Sequence, residues 1–397
     1  MSKNTQSIKF EFINSKDIKK LSYKNSLFSL LFLGIFLSYA CNSSHHENEI
    51  SAEEEIKLPD YANGFSVICK GNLKQLRIHS PWNEGSNLNV YYLWPDSLPI
   101  PDSLPVESTI LTPVRNIVAL SATQWGPLLK LGMASTIKGV SESRFIRNET
   151  IKNLLESGML IDVASDGVYK MEQLVKLEPD LVLYSPDPMG ISSSLQRSGI
   201  KLLAWPDYFE TNPLGRAEWI KVLGLLVQKE IEANVIFDSI AISYNHLKSL
   251  TKAVAEKPEI FADKAFAGQW YVPGGKSYMA EIFKDAGADY VFSANNEHAS
   301  FPLDIETILA KSKNADYWRI AQAADFEYSY EDLARENELY RAFEAFKNKR
   351  IIFCNTAKTA YFEQSPMEPH LLLADFIAIL HPELLPDHIP VYHTLLR

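Results

Sequence analysis

The chain has 397 residues, of which 46% are hydrophobic and 22% are charged, and its formal net charge at pH 7 is −10. This length and composition predict a globular protein with more than one domain. The acidic excess makes nucleic acid an unfavourable partner, because phosphate backbones would repel the chain.

The start of the chain has the layout of a secretory signal. Lysines precede an apolar run over 27–37, and small residues then lead to Cys41. The layout resembles a bacterial lipoprotein signal, in which a lipid is attached to Cys41 before cleavage. A single transmembrane anchor is the alternative, but the run is shorter than the roughly 20 apolar residues that a span needs.

Polar and extended segments follow the signal. Residues 41–60 are polar and without pattern, which predicts a flexible tether. Residues 61–95 alternate between apolar and polar side chains, which predicts antiparallel strands at the edge of a first lobe. Cys69 and Cys354 are far apart in sequence, and their spacing leaves open whether they are bridged or free.

From Arg115 onward the pattern changes to an alternation of strands and helices, which predicts α/β lobes with parallel sheets. The helical periodicity over 213–255 predicts one long helix or two abutting ones, after which the alternation resumes. The predicted organisation is a signal peptide at 1–40, a tether at 41–60, a first lobe with an edge hairpin at 61–212, a linking helix at 213–255 and a second lobe at 256–397.

Four stretches resemble the periplasmic binding proteins that carry siderophores, haem and cobalamin. They are 115–132, 171–183, 270–288 and 303–316. The resemblance covers about residues 60–397 and implies the α/β fold of that family: two Rossmann-like lobes joined by a long rigid α-helix, with a ligand cleft between the lobes. Many members carry a glutamate where this chain has Gln124, so the identity of the ligand does not transfer by analogy.

The resemblance also implies a function and its partners. It implies a lipid-anchored substrate-binding component of an ABC importer in the periplasm, which captures an iron chelate such as a siderophore and delivers it to the permease and its ATPase subunits. Cobalamin or haem in the same importer class is the alternative. Iron would enter only as part of the chelate, so we expect no cofactor and no direct metal ligand. We also expect a monomer that does not bind nucleic acid.

Ligand contacts are expected where strand ends and helix starts converge, because free N–H groups face the cleft there. The candidates are Ser121, Thr123, Gln124, Trp125, Arg144, Phe145, Tyr184, Ser185, Trp205, Tyr208, Trp270, Tyr271, Gly275, Lys276, Tyr361 and Phe362. In the loop over 270–276, aromatic rings offer flat apolar surface, glycines let the backbone approach a ligand, and a lysine supplies a cation.

Each of these assignments has a structural alternative. The turn at Ser121 is equally explained as a plain helix cap. Trp125 stands in the first turn of a helix, where a tryptophan is often part of the core, and Arg144 is explained as an ordinary surface charge.

Glu172 and Glu306 occupy matching places near a helix start in the two predicted lobes. In the family, glutamates at these positions meet arginines of the membrane permease, so the resemblance implies a docking role for both. A carboxylate near a helix start also stabilises that helix by roughly 0.3–1 kcal/mol, which is the alternative.

The sequence offers little support for an enzyme. It contains no G-x-S-x-G and no H-E-x-x-H motif, and the Gly-Lys-Ser at 275–277 lacks the first glycine of a phosphate-binding loop. An α/β enzyme acting on a bound metallocluster would need more cysteine ligands than this chain carries. A protein that binds another protein, without small-molecule cargo, is the other alternative, and a cleft without aromatic rims would favour it.

Overall fold

The computed structural model describes residues 59–187 and 193–397. Within these ranges no helix combines the length and the apolar composition that a membrane crossing requires. Cys41, the predicted signal peptide and most of the predicted tether lie outside the described residues. Cys69 and Cys354 are both free thiols, which settles the question that their spacing leaves open.

The described chain begins with a four-stranded sheet, which we call the N-terminal sheet. Its strands are β1 (Phe65–Lys70), β2 (Leu73–His79), β3 (Asn87–Pro95) and β4 (Thr109–Thr112). They lie in the order β1-β2-β3-β4, in which the first three are antiparallel and β4 is parallel to β3. Phe65, Val67, Leu76 and Ile78 alternate with more exposed residues, so one face of this sheet packs on the body of the protein.

The first lobe is built on a six-stranded sheet in the order β10-β9-β5-β6-β7-β8. All its neighbouring strands are parallel except the hairpin of β7 and β8. The elements are β5 (Ile117–Ala119), α1 (Ala122–Lys130), β6 (Ile137–Ser141), α2 (Glu149–Glu156), β7 (Ile161–Ser165), β8 (Val168–Tyr169), α3 (Met171–Lys176), β9 (Leu181–Tyr184), α4 (Ser193–Gln196) and β10 (Leu202–Ala204).

The segment predicted as one long helix or two abutting ones contains three helices: α5 (Pro213–Glu218), α6 (Ile220–Val227) and α7 (Glu230–Leu250). Gln228 adopts φ 55° and ends α6, so that α7 turns back to pack on it. A Cβ atom on Gly224 would lie 2.7 Å from the Cβ of Ala233, and the missing side chain is what permits this close packing. The 21-residue α7 is the longest of the three.

The second lobe has a five-stranded sheet in the order β14-β11-β16-β17-β18 and a three-stranded antiparallel sheet, β12-β13-β15. The larger sheet is parallel except for β18. The elements are β11 (Glu259–Ala262), β12 (Ala265–Phe266), β13 (Gln269–Val272), α8 (Tyr278–Asp285), β14 (Asp289–Tyr290), β15 (Phe301–Leu303), α9 (Ile305–Ser312), β16 (Tyr317–Gln322), α10 (Tyr330–Glu336), α11 (Glu344–Lys347), β17 (Ile351–Asn355), α12 (Tyr361–Gln364), α13 (Pro369–Leu380) and β18 (Thr394–Leu395).

The two lobes touch directly where α1 packs against α12. A Cβ atom on Gly126 would lie 2.4 Å from the carbonyl oxygen of Glu363, so the contact requires a residue without a side chain. The backbone N–H of Arg147 donates to the Glu363 carboxylate at 2.5 Å, and Lys130 pairs with Glu368 at 2.5 Å. The lobes are therefore held together along this edge.

Candidate ligand-binding site

A cavity of about 1330 Å³ lies between the two lobes and the N-terminal sheet. The first lobe contributes residues between 206 and 212, which follow the end of β10. The second lobe contributes the loop 275–277 with Glu281 and His298, and the N-terminal sheet contributes residues between 59 and 87. The cavity thus opens at the carboxyl end of a parallel strand, where α/β sheets generally bind ligands.

An aromatic corner, formed by Trp82 and Phe209, joins two walls of this cavity. The ring centroids lie 5.7 Å apart with an interplanar angle of 81°, which is an edge-to-face contact. The Tyr208 ring lies 4.1 Å from that of Phe209 in a tilted contact, and its hydroxyl donates to the carbonyl of Pro186. Burial, together with the carboxylates of Asp187 and Asp207, raises the pKa of Tyr208 to about 12, so its phenol stays protonated at neutral pH.

The charged side chains of the cavity differ in how far they are already paired. Glu281 forms an ion pair with Lys284 at 2.9 Å, which reduces the field it projects into the cavity. Arg77 of the N-terminal sheet and Lys276 of the second lobe both line the cavity, and within 59–187 and 193–397 neither makes an ion pair with a carboxylate. Cations without partners at a cavity wall favour a ligand that carries negative charge.

Two buried carboxylates fasten the start of the N-terminal sheet to the helical linker. Glu218 accepts the backbone N–H groups of residues 60–62 at 2.8–2.9 Å. Glu210 accepts those of residues 63–64 at 2.8–2.9 Å, and the indole N–H of Trp219 at 2.8 Å. Burial raises the pKa of Glu210, while these hydrogen bonds oppose that shift. The wall that the N-terminal sheet provides is therefore held firmly in place.

A buried polar cluster crosses from one lobe to the other beside the cavity. Asp207 accepts from the hydroxyl of Thr123 at 3.0 Å and from the Arg216 guanidinium at 2.9 Å. That guanidinium lies 4.5 Å from the ring centroid of Tyr278, the first residue of α8 in the second lobe. The Asp207 carboxylate thus binds one group from the first lobe and one from α5, and Arg216 extends the contact to the second lobe, so the cluster connects the lobes.

The hydroxyl of Tyr361 is also occupied within the protein. Arg319 donates to it at 2.9 Å, to Asp263 at 2.7 Å and to His393 at 3.2 Å. Tyr361 is 3% exposed, whereas its neighbour Phe362 is 61% exposed. Tyr361, predicted to close the cleft from a loop, is instead the buried first residue of α12, while Phe362 faces outward.

Several of the aromatic candidates are core residues. Trp125, Trp205 and Trp270 are at most 2% exposed. The Trp270 indole stacks on Trp318 at 5.6 Å and donates to the carbonyl of Ala262 at 2.9 Å. The prediction that Trp270 offers its ring to a ligand is wrong for this structure, and Tyr271, the next residue on β13, is 45% exposed but does not line the cavity.

The side chains at the Ser121 turn cap the N-terminus of α1. The Ser121 hydroxyl accepts from the N–H of Thr123, and the amide oxygen of Gln124 accepts from the N–H of Ser121 at 3.0 Å. Gln124 is fully buried, and its amide nitrogen reaches the hydroxyl of Ser185 at 3.5 Å. The plain cap, which the sequence left as the alternative, is the role these side chains have here.

Arg144 and Phe145 lie on the surface, away from the cavity. The Arg144 guanidinium pairs with Asp166 at 2.6 Å and lies 4.6 Å from the Phe145 ring centroid. Phe145 is 62% exposed. Arg144 is therefore a surface charge, as the structural alternative proposed. Tyr184, another candidate, is a half-buried residue at the end of β9.

Gly275 and Lys276 are the two sequence candidates that line the cavity. A Cβ atom on Gly275 would lie 2.3 Å from the carbonyl oxygen of Asn295 and 2.5 Å from that of Ser293. The glycine therefore lets its loop pack on the 292–295 turn, which in turn holds Lys276 at the cavity wall. Its role is close backbone packing within the lobe.

The sequence reasoning missed Arg77, His79, Trp82, Phe209 and His298, which all line the cavity. The alternation of apolar and polar residues over 61–95 predicts the strands of the N-terminal sheet but does not indicate what these strands pack against. No three His, Cys, Asp or Glu side chains of the described chain come together as a set of metal ligands. The ring of His79 is held by the hydroxyl of Ser66 at 3.0 Å and the carbonyl of Asn63 at 2.7 Å.

Glu172 and Glu306 are both exposed, and each is the second residue of its helix, α3 or α9. The matching placement predicted from the sequence is therefore present in the structure. Neither carboxylate makes an ion pair with the described part of the chain.

The comparisons with known proteins agree with this architecture. An uncharacterised lipoprotein of Methanocaldococcus jannaschii is 27% identical over 285 residues, which cover 69% of this chain and 67% of that protein. A second uncharacterised protein of the same organism is 23% identical over 286 residues and covers 68% of this chain and 83% of its own length.

Solved structures show the same fold at lower identity. A periplasmic haem-binding protein of Pseudomonas aeruginosa superposes with a TM-score of 0.56 at 16% identity, covering 70% of this chain and 96% of that one. A protein of the ABC-type Fe³⁺-hydroxamate transport system of Saccharomonospora viridis superposes with a TM-score of 0.55 at 17% identity, covering 68% of this chain and 94% of that one. The family model described as periplasmic binding protein matches residues 117–357, more than half of the chain. The chain therefore belongs to the periplasmic binding protein family.

Proposed function

We propose that this protein is the lipid-anchored substrate-binding component of an ABC importer, and that it captures an iron chelate between its lobes. The observation that carries the proposal is the cavity of about 1330 Å³ at the junction of both lobes. A cavity of this size suits a bulky ligand, and membership of the periplasmic binding protein family supports a role in capture rather than catalysis.

The chemistry of the cavity wall supports a chelate. Ferric chelates combine flat or amide-rich organic shells with, in many cases, negative charge. The aromatic corner of Trp82 and Phe209 offers apolar surface, and Arg77 and Lys276 offer positive charge. Two of the structural relatives are named for haem and for ferric hydroxamate, which supports an iron-containing cargo.

Haem is a second candidate, and one observation favours it. His298 is an exposed residue at the cavity, where its imidazole could reach the iron of a bound haem. Cobalamin remains an alternative of the same importer class, because it is also large enough to need a cavity of this kind.

The test is a titration of the soluble chain from residue 42, followed by intrinsic tryptophan fluorescence. Ferric siderophores, haem and cyanocobalamin are added separately. We expect saturable quenching by a ferric siderophore with a Kd near or below micromolar. Lys276→Gln should weaken binding of an anionic chelate, whereas Lys252→Gln, an exposed lysine that does not line the cavity, should not. If only haem or only cobalamin gives saturable quenching, that ligand is the cargo in place of a siderophore. No response to any ligand would contradict the proposal.

Glu172 and Glu306 support a proposed docking surface for the permease. One exposed carboxylate per lobe, each at the second position of a helix, would let a two-fold permease contact both lobes. Reversing both charges, Glu172→Lys with Glu306→Lys, should abolish transport while leaving the ligand Kd unchanged. Normal transport by that double variant would contradict the docking role.

Lipidation at Cys41 is proposed from the signal layout and from the lipoprotein name of the relative that is 27% identical. Cys41→Ser should move the protein from the membrane fraction to the soluble periplasmic fraction. If the variant stays in the membrane fraction, the anchor is something other than a lipid on this cysteine.

A further inference from the structure

We propose that the N-terminal sheet is part of the ligand site and selects ligands that combine aromatic surface with negative charge, as a ferric catecholate does. This inference rests on the proposed function, because it names the wall and the ligand class of the same cavity. The family model begins at residue 117, so the N-terminal sheet lies wholly outside the region that identifies the family. Its contribution to the site therefore does not follow from the family match.

The N-terminal sheet is fixed against the lobes. Glu218 and Glu210 accept the backbone N–H groups of residues 60–64, so the chain leading into β1 is held along its whole length. A Cβ atom on Gly64 would lie 2.7 Å from the Trp219 ring, which shows how closely this segment packs. A wall held in this way can present side chains in a fixed geometry, as selective binding requires.

The sheet also places aromatic surface at the cavity. Trp82 follows β2 and touches Phe209 of the first lobe edge to face, yet it remains 37% exposed. Its indole therefore keeps open surface beside the cavity while one edge is fixed by a neighbour. Flat conjugated groups of a ligand gain affinity from contacts with such a ring beyond the burial of area.

The charged groups around the cavity differ in their partners. Arg77 uses its Nε to donate to Gln75 at 2.9 Å, and the described residues supply no carboxylate for its guanidinium. Of the acids that line the cavity, Glu210 is saturated by N–H donors and Glu281 is paired with lysine. Glu84 is exposed and remains the exception. The guanidinium therefore faces the cavity as a cation available to an anionic ligand.

The test compares two ferric chelates on the full mature chain by isothermal titration: a ferric catecholate, which is aromatic and anionic, and a neutral ferric hydroxamate. Trp82→Ala should raise the Kd for the catecholate about tenfold, the equivalent of one good ring contact. Arg77→Gln should raise the Kd for the catecholate by a similar factor. It should leave the Kd for the hydroxamate within about twofold of the wild-type value.

Two matched variants control for the sheet itself. Ile100→Ala removes a side chain that is 53% exposed, and Lys70→Gln removes a cation from the exposed end of β1; neither residue lines the cavity. Both should keep the wild-type Kd, and circular dichroism should show that all four variants are folded. If the wild type binds a chelate and Trp82→Ala and Arg77→Gln bind it equally well, the N-terminal sheet is not part of the site. If the wild type binds no ligand, the proposed function fails and this inference fails with it.

Discussion

Two groups of aromatic side chains differ in what they do for this protein. The first surrounds Trp270, whose ring lies within 6.1 Å of Phe261, Trp318, Tyr340 and Phe343, measured between centroids. The second is the aromatic corner at the cavity, where Trp82 is 37% exposed. Rings beside a glycine-rich turn can therefore belong to the core. At the cavity, the exposed ring of Trp82 comes from the N-terminal sheet, which precedes the residues matched by the family model.

The largest effect is expected from Trp270→Ala. Removing a fully buried indole leaves a cavity in the second lobe, so the free energy of unfolding should fall by about 3–5 kcal/mol. Chemical denaturation measures this loss. Trp270→Phe, which keeps an apolar ring, should cost much less. An alanine variant of wild-type stability that no longer binds ligand would mean that Trp270 contacts the ligand after all.

Glu218→Ala should come next, because it leaves the N–H groups of residues 60–62 and the ammonium of Lys221 without their acceptor. Truncating one partner of a buried ion pair typically costs about 3–5 kcal/mol. Hydrogen exchange should show faster exchange at residues 60–64. Glu218→Gln keeps an acceptor oxygen and should lose less stability. Unchanged exchange in the alanine variant would show that other contacts hold the N-terminal sheet.

Gly126→Ala tests the direct contact between the lobes. The new methyl group would lie 2.4 Å from the carbonyl oxygen of Glu363, so α12 must move away from α1. We expect the free energy of unfolding to fall by about 1–3 kcal/mol. Small-angle scattering should detect a more open arrangement of the lobes. An increase in stability, as alanine gives in an unhindered helix, would show that the two helices separate easily.

The pH dependence of stability should report on the buried surroundings of His393. Burial, together with the Arg319 guanidinium, lowers the pKa of His393 well below its ordinary value. The unfolded chain takes up a proton below about pH 6.5 while the folded chain does not, so stability falls as the pH drops, by up to about 1.4 kcal/mol per unit. Denaturation between pH 7.5 and 5.5 should show a smaller slope for His393→Gln than for wild type. His246→Gln, at an exposed position, should keep the wild-type slope.

The smallest change in stability is expected from Trp82→Ala. Trp82 has a single ring partner and open surface, so the free energy of unfolding should change by less than about 1 kcal/mol. Set beside Trp270→Ala, this variant separates a ring that holds the fold from a ring that serves the cavity. A loss as large as that of Trp270→Ala would remove the distinction between the two groups.

The sequence predicts the fold better than it predicts the site, and particular residues show why. Alternating strands and helices after Arg115 identify the α/β lobes because each element buries its own apolar residues in a regular period. The same period explains the error at Trp270: β13 turns Trp270 and Val272 inward and Tyr271 outward, whatever the glycines that follow. Gly275 and Lys276 were singled out because glycines let the backbone approach a ligand and a lysine supplies a cation, and both line the cavity.

The residues that the sequence missed depend on packing between distant segments. Trp82 contacts Phe209 at a junction where Glu210 and Glu218 accept the N–H groups of residues 60–64, more than 140 residues away in the chain. A buried carboxylate that binds a remote backbone leaves no periodic pattern in a single sequence. Side-chain alternation likewise places Phe65 and Val67 on a buried face without saying what covers it.

The central claim is that the ligand lies in the cavity bounded by both lobes and the N-terminal sheet. Hydrogen–deuterium exchange of the mature chain, with and without a saturating ferric chelate, tests it most directly. On ligand binding we expect slower amide exchange in three segments: 77–87, 206–212 and 275–281. Protection confined to other parts of the chain, with these three segments unchanged, would contradict it.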